Sequence, residues 1–133
     1  MNNRVALQQY QRVNLESDIE GANSHRLVQL LLSGALSRIA TAKGQYVRGE
    51  TAAFGESLGK SIGIISGLQA ALDMEKGGEI SQNLDSLYDY MIRTLLKVHT
   101  QKSTEPLSEV AALLTEIKSA WDAIDYDLLT DLA

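Results

Sequence analysis

Apolar positions recur at steps of three and four in four separate stretches of the chain, the period of one face of an α-helix. Leu27, Leu31, Ala35, Ile39, Ala42 and Tyr46 predict a helix over about residues 25–48, with Ser24 as its N-cap and Gly49 as its stop. Phe54, Leu58, Ile62 and Ile65 predict a second over 51–73, after which Gly77-Gly78 reads as the break. Ile80, Leu84, Leu87, Met91, Leu95 and Val98 predict a third over about 80–101. Leu107, Val110, Leu114, Ile117, Trp121 and Ile124 form the cleanest stripe. Pro106 falls in the first turn of that fourth helix, where its missing N–H is no loss. Four amphipathic helices with short connections predict an all-α fold, an antiparallel up-down-up-down four-helix bundle.

Residues 1–23 do not fit a plain bundle. Leu7, Tyr10 and Val13 step by three, flanked by Val5 and Leu15. This pattern suits a short extra helix or an extended arm that docks on the bundle. The expected division is therefore an N-terminal arm over 1–23, a bundle over 24–125 and a tail over 126–133.

A second irregularity is the ladder Gly55, Gly59, Gly63 and Gly67 inside the second predicted helix. Each glycine costs roughly 0.5–1 kcal/mol relative to Ala in a helix interior, about 2–4 kcal/mol for the set. Something should offset that, and two readings are open. The ladder lets a neighbouring helix of the same bundle approach closely, or it floors a shallow groove for a partner helix, with Leu58 and Ile62 alongside.

Composition narrows the class. Cysteine is absent, which excludes a disulfide scaffold, a thiolate metal site and a cysteine nucleophile. No apolar run approaches the roughly 20 residues of a membrane span, and no secretory signal is visible at MNNRVALQQY. The expectation is a cytoplasmic protein without membrane insertion. Net charge is −5, divided as +2 over residues 1–66 and −7 over residues 67–133. An acidic half argues against a nucleic-acid footprint, which needs clustered Lys and Arg.

Signals for catalysis are weak. His25 and His99 stand outside metal-ligand spacing and read as surface residues, so neither a metal nor a cofactor is expected. Asp85 and Asp89, with Asp73, Glu75 and Glu79 nearby, read as a solvated acidic face rather than a paired-carboxylate site. No nucleophile elbow or phosphate loop occurs. A non-enzymatic binding protein is the expectation, with no catalytic residues. Tyr88 and Tyr90 lie about 200° apart on a helix, so both cannot be core and one is a candidate contact.

Residues Leu72 to Met91 read LDMEKGGEISQNLDSLYDYM. This stretch resembles the signature of the flagellar secretion chaperone family (FliS), the cytoplasmic chaperones of flagellin. Tyr10, Val13 and the Glu16-Ser17 pair are similar to the family's N-terminal segment, and Leu113, Leu114, Ile117, Trp121 and Ile124 to its last helix. The chain departs from the pattern at Asn23-Ser24, where the family has Ser-Pro, and at Leu32 and Ser33.

The resemblance implies an antiparallel helical bundle that binds the disordered C-terminal segment of flagellin. That segment folds on the bundle surface, which blocks premature polymerisation and aids delivery to the flagellar type III export apparatus. It implies an export-gate component and regulatory proteins as further partners, and leaves monomer or homodimer open. The partner-binding residues expected on this basis are Leu7, Tyr10 and Val13 in the arm and Gly55, Leu58, Gly59, Ile62 and Gly63 at the groove. Tyr88 and Tyr90 complete the set.

Overall fold

The computed structural model describes residues 20–124, and side chains from Ser24 onward. Four long helices and one short one account for most of them: α1 (Glu20–Val47), α2 (Thr51–Ala70), α3 (Met74–Leu96), α4 (Val98–Gln101) and α5 (Glu105–Ala123). The fold is an all-α helical bundle.

Each connection has a local cause. At the end of α1, Glu50 N–H donates to the Gln45 carbonyl at 2.9 Å and Gly49 N–H to that of Tyr46 at 3.1 Å. These are the paired bonds of a Schellman motif, and the motif needs a left-handed residue at Gly49, where φ is +74°. Gly49 therefore ends α1 as its sequence position predicts. Ser24 does not start it: α1 begins at Glu20, so Ser24 lies inside the helix.

The Gly77-Gly78 pair is also not the break between α2 and α3. That break falls at Ala71–Asp73, and Asp73 caps α3 by accepting from Glu75 N–H at 3.1 Å and Lys76 N–H at 2.9 Å. A strong N-cap thus starts α3 before the glycines. The glycines serve a kink within its first turns. Gly78 has φ +51° and ψ −127°, a conformation that side chains resist. A methyl group at Gly77 would sit 1.7 Å from Ser81 Oγ, and that hydroxyl donates to the Asp73 carbonyl at 3.0 Å. Further on, α3 ends at Leu96 and α4 follows, where one continuous helix was expected. Pro106 does occupy the first turn of α5.

Contacts between elements give direction and order. His25 meets Trp121 and Lys43 Nζ donates to Ser108 Oγ at 3.0 Å, so the start of α1 pairs with the end of α5 and the reverse. A methyl group on Gly34 would touch Ile64 Cδ1 at 3.5 Å, and the Tyr46 and Phe54 rings meet at 5.3 Å, so α1 and α2 are antiparallel. Gln69 Nε2 donates to the Asp85 carbonyl at 3.1 Å, joining α2 to α3. Among the described residues, α1 packs on α2 and α5, and α3 packs on the same two. The broadest contact is α1 on α2.

The core follows the predicted stripes with local shifts. Leu31, Ala35, Ile39 and Ala42 of α1 are buried, as are Leu107, Val110 and Leu114 of α5. Leu32, at one of the positions that depart from the family pattern, is fully buried. In α2 the inward face is Phe54, Ser57, Leu58, Ser61, Ile65, Gly67 and Leu68. In α3 it is Ser81, Tyr88, Met91, Thr94 and Leu95. Ile80 has the spacing of a core residue but is 72 % exposed. It lies in the turn after the Gly78 kink, at the end of the bundle, where a periodic stripe runs out of facing side chains.

Candidate functional site

The most unusual surface of the molecule is the outer side of α2. A step of four residues turns an α-helix by about 400°, so a four-step ladder drifts about 40° per rung. From Gly55 to Gly67 the glycines wind about 120° around α2 instead of sharing one line. Gly55 and Gly59 are exposed, Gly63 is half-buried and Gly67 is buried. A methyl group at Gly55, Gly59 or Gly67 would meet no atom within 4 Å among the described residues. Helix against helix at a glycine seam leaves no such room, so these three do not serve close packing within the described bundle. The residues that do let a neighbour approach are offset by two positions. Ser57 and Ser61 are buried, and the Ser61 hydroxyl donates to the Ser57 carbonyl at 2.9 Å, which satisfies it without a partner from another helix.

The other expected contact residues separate by depth. Ile62 is half-buried beside the glycines and packs on the core edge. Leu58 is 3 % exposed and belongs to the core, so it supports the glycine face from beneath and does not line it. Tyr88 is likewise 3 % exposed, and burial pushes its hydroxyl up to about 12. A side chain enclosed to that degree has no surface to offer, which removes Tyr88 from the contact set. Tyr90 is half-buried. Its hydroxyl bonds the Glu109 carboxylate of α5, and the Arg93 guanidinium lies 6.0 Å from its ring centroid. It faces the α3–α5 seam, apart from the glycine face. Leu7, Tyr10 and Val13 lie outside the described residues.

Two groupings carry no strong signal in the sequence. His25 is half-buried and not a plain surface residue. Its ring stacks on Trp121 at 5.1 Å, its Nε2 bonds the Trp121 carbonyl at 2.9 Å, and Trp121 Nε1 donates to the His25 carbonyl at 3.0 Å. This reciprocal clasp ties the start of α1 to the end of α5. At the opposite end, Tyr46, Phe54, Val98, His99 and Lys102 enclose a cleft of 350 Å³ that opens beside Gly55. These five come from α1, α2, α4 and the turn after α4, so no spacing rule joins them.

The charges on α2 pair along the helix. Glu56 and Lys60 pair with each other at 3.0 Å along the helix, and the Lys60 ammonium holds the Glu56 carboxyl below its ordinary value. At the α1–α2 turn, Arg48 grips Glu50 through two bonds of 2.9 and 3.2 Å, which lowers the glutamate and raises the arginine. Among the described residues, no group of three or more His, Asp or Glu gathers as metal ligands, and no helix is long and apolar enough to cross a membrane.

The all-α helical bundle is what the resemblance implies. Residues 6–127 match the Flagellar protein FliS family. The chain belongs to the FliS family. It is 50% identical over 121 residues to the flagellar secretion chaperone FliSB of Pseudomonas aeruginosa, covering 91% of this chain and 96% of that one. It is 39% identical over 129 residues to the flagellar secretion chaperone FliS of Vibrio cholerae, covering 96% and 95%. With that of Salmonella typhimurium the identity is 44% over 116 residues, covering 86% of each. The family match thus spans the bundle and reaches from residue 6 to residue 127.

Proposed function

We propose that this chain is a cytoplasmic export chaperone that binds the disordered C-terminal segment of flagellin, prevents its premature polymerisation and aids its delivery to the flagellar type III export apparatus. The observation that carries this reading is the exposed glycine face of α2 on a chain whose relatives are flagellar secretion chaperones over nearly their full length. A helix face without side chains lets a partner backbone come within van der Waals distance, as small residues do between helices. Ile62 and the edge of the core give the apolar contact that an amphipathic partner helix needs. The client folds as it binds, so its affinity carries the ordering free energy of the segment and its release remains feasible.

Leu7, Tyr10 and Val13 form an arm that covers this face when the client is absent and leaves it when the client arrives. The work is done by binding, with no metal, cofactor or bond-making step. Partners of the loaded complex include a component of the export gate.

The test is calorimetric titration of the full chain with the C-terminal segment of the cognate flagellin, with helicity followed in parallel. One-to-one saturable binding with a gain of helix is expected. No binding at tens of micromolar, with both components intact, removes flagellin as the client. Tyr10→Ala tests the arm: a change in affinity below about twofold, roughly 0.4 kcal/mol, is within noise and removes the arm assignment.

A further inference from the structure

The cleft at the α1–α2 end has a composition that specifies an occupant. Its floor is aromatic: Tyr46 and Phe54 meet edge-to-face at 5.3 Å, and Phe54 meets His99 in the same manner at 6.3 Å. Its volume of 350 Å³ accepts a Leu or Phe side chain with room for the backbone that carries it. Its rim carries one glutamate, Glu50, already held by Arg48 through two bonds. The remaining charge is Lys102, which makes no ion pair among the described residues.

Lys102 is also held in an unusual backbone conformation. It closes α4 as a left-handed cap at φ +51° and ψ +50°, where glycine or asparagine is the usual choice. A lysine there gives up some stability, and Lys102 is one of the residues that line the cleft.

Gly55 is both a wall of the cleft and the first rung of the exposed glycine face. The two surfaces are therefore continuous. We infer that the cleft is the anchor pocket of the client groove, taking one bulky apolar side chain of the flagellin segment, with a carboxylate within one helical turn of that side chain pairing with Lys102. This rests on the chaperone reading above and adds a recognition rule to it: an apolar anchor beside an acidic group. A segment lying along Gly55 and Gly59 would otherwise slide, because a face without side chains fixes no register. An anchor pocket at one end sets it.

Two measurements on the full chain separate this inference from the reading it rests on. The first needs no client. N-acetylphenylalanine and its uncharged amide are titrated to about 10 mM, a range that detects weak single-residue binding, while the ring signals of Phe54 and His99 are followed by NMR. The acid is expected to shift both, the amide to bind about fivefold more weakly, the size of one exposed ion pair, and Lys102→Gln to erase the difference while Lys102→Arg keeps it. Absence of shifts with either compound, or equal binding of acid and amide, overturns the inference.

The second measurement uses the flagellin segment. Lys102→Gln is expected to weaken it about fivefold, with the loss fading as salt is raised. Weakening by Gly59→Leu but not by Lys102→Gln leaves the chaperone reading in place and overturns the pocket. Acid-selective binding in the first experiment with no binding of the segment supports the chemistry of the cleft and removes flagellin as its occupant.

Discussion

Ser57 and Ser61 lie on one side of α2, Gly55 and Gly59 on the other, and the two pairs differ in everything that surrounds them. The serines are buried and the glycines are exposed. Around the glycines a methyl group would find open space. Small residues inside a helix pair permit close packing, and small residues outside permit access. α3 repeats the contrast with large side chains. Tyr88 and Tyr90, two positions apart, point about 200° from each other, and one is core while the other sits at the rim of the α3–α5 seam. Period, not residue type, decides which role a side chain takes.

Breaking the inner side of the contrast gives the largest effects. The Tyr88 hydroxyl ionises at about 12 in the fold and at 10.0 when unperturbed. The folded state thus favours the protonated form. The stability this contributes is fully present below pH 10.0 and is lost as pH rises towards 12, on the order of 2–3 kcal/mol. Denaturant unfolding at several alkaline pH values should show that loss in the parent chain and a flatter profile in Tyr88→Phe. Equal slopes for parent and Tyr88→Phe would contradict the burial of that hydroxyl.

Next in size is Ser61→Leu, which forces a large side chain into the α2 core face. Overpacking should lower unfolding free energy by about 2 kcal/mol. Gly59→Leu places the same side chain on the outer face. It should weaken the flagellin segment by at least tenfold, about 1.4 kcal/mol, while leaving the fold intact. A Gly59→Leu chain that binds as tightly as the parent would show that the glycine face is not the groove.

The smallest effect has the most informative sign. Gly55→Ala and Gly59→Ala meet no atom, so each should stabilise the chain by about 0.5–1 kcal/mol through helix propensity. If they destabilise it instead, the glycines pack against something after all. Stability gained together with binding lost is the signature of glycines kept for access.

The resemblance carried by residues 72–91 and the fold class were legible in the sequence, because both rest on local patterns. The stripes of α1 and α5 needed only a period, and Gly49 needed only the rule for ending a helix. Local competition defeated the reading at several places, Ser24 and the division after Leu96 among them. The Asp73 cap starts α3 ahead of the expected break, which Gly78 still makes as a non-helical kink inside α3, and the bundle end left Ile80 outside a stripe it matches in spacing. The candidate site was half legible. The glycine ladder stood out at fixed steps, but its two readings could not be separated without knowing which side of α2 faced inward, and Leu58 and Tyr88 looked as available as Ile62 and Tyr90.

The sequence by itself therefore determined that four amphipathic helices form, where α1 stops, that Pro106 enters α5 without harm, and which family the chain resembles. These follow from side-chain period, caps and motif, all of which act within one or two helical turns. Only the tertiary structure decided that Ser57 and Ser61, not Gly55 and Gly59, face the core, that His25 clasps Trp121 from 96 positions away, and that Tyr46, Phe54, His99 and Lys102 share one cleft. Those facts depend on how helices are rotated and paired about a common core, and rotation is set by the sum of packing contacts across the bundle, which no single helix encodes.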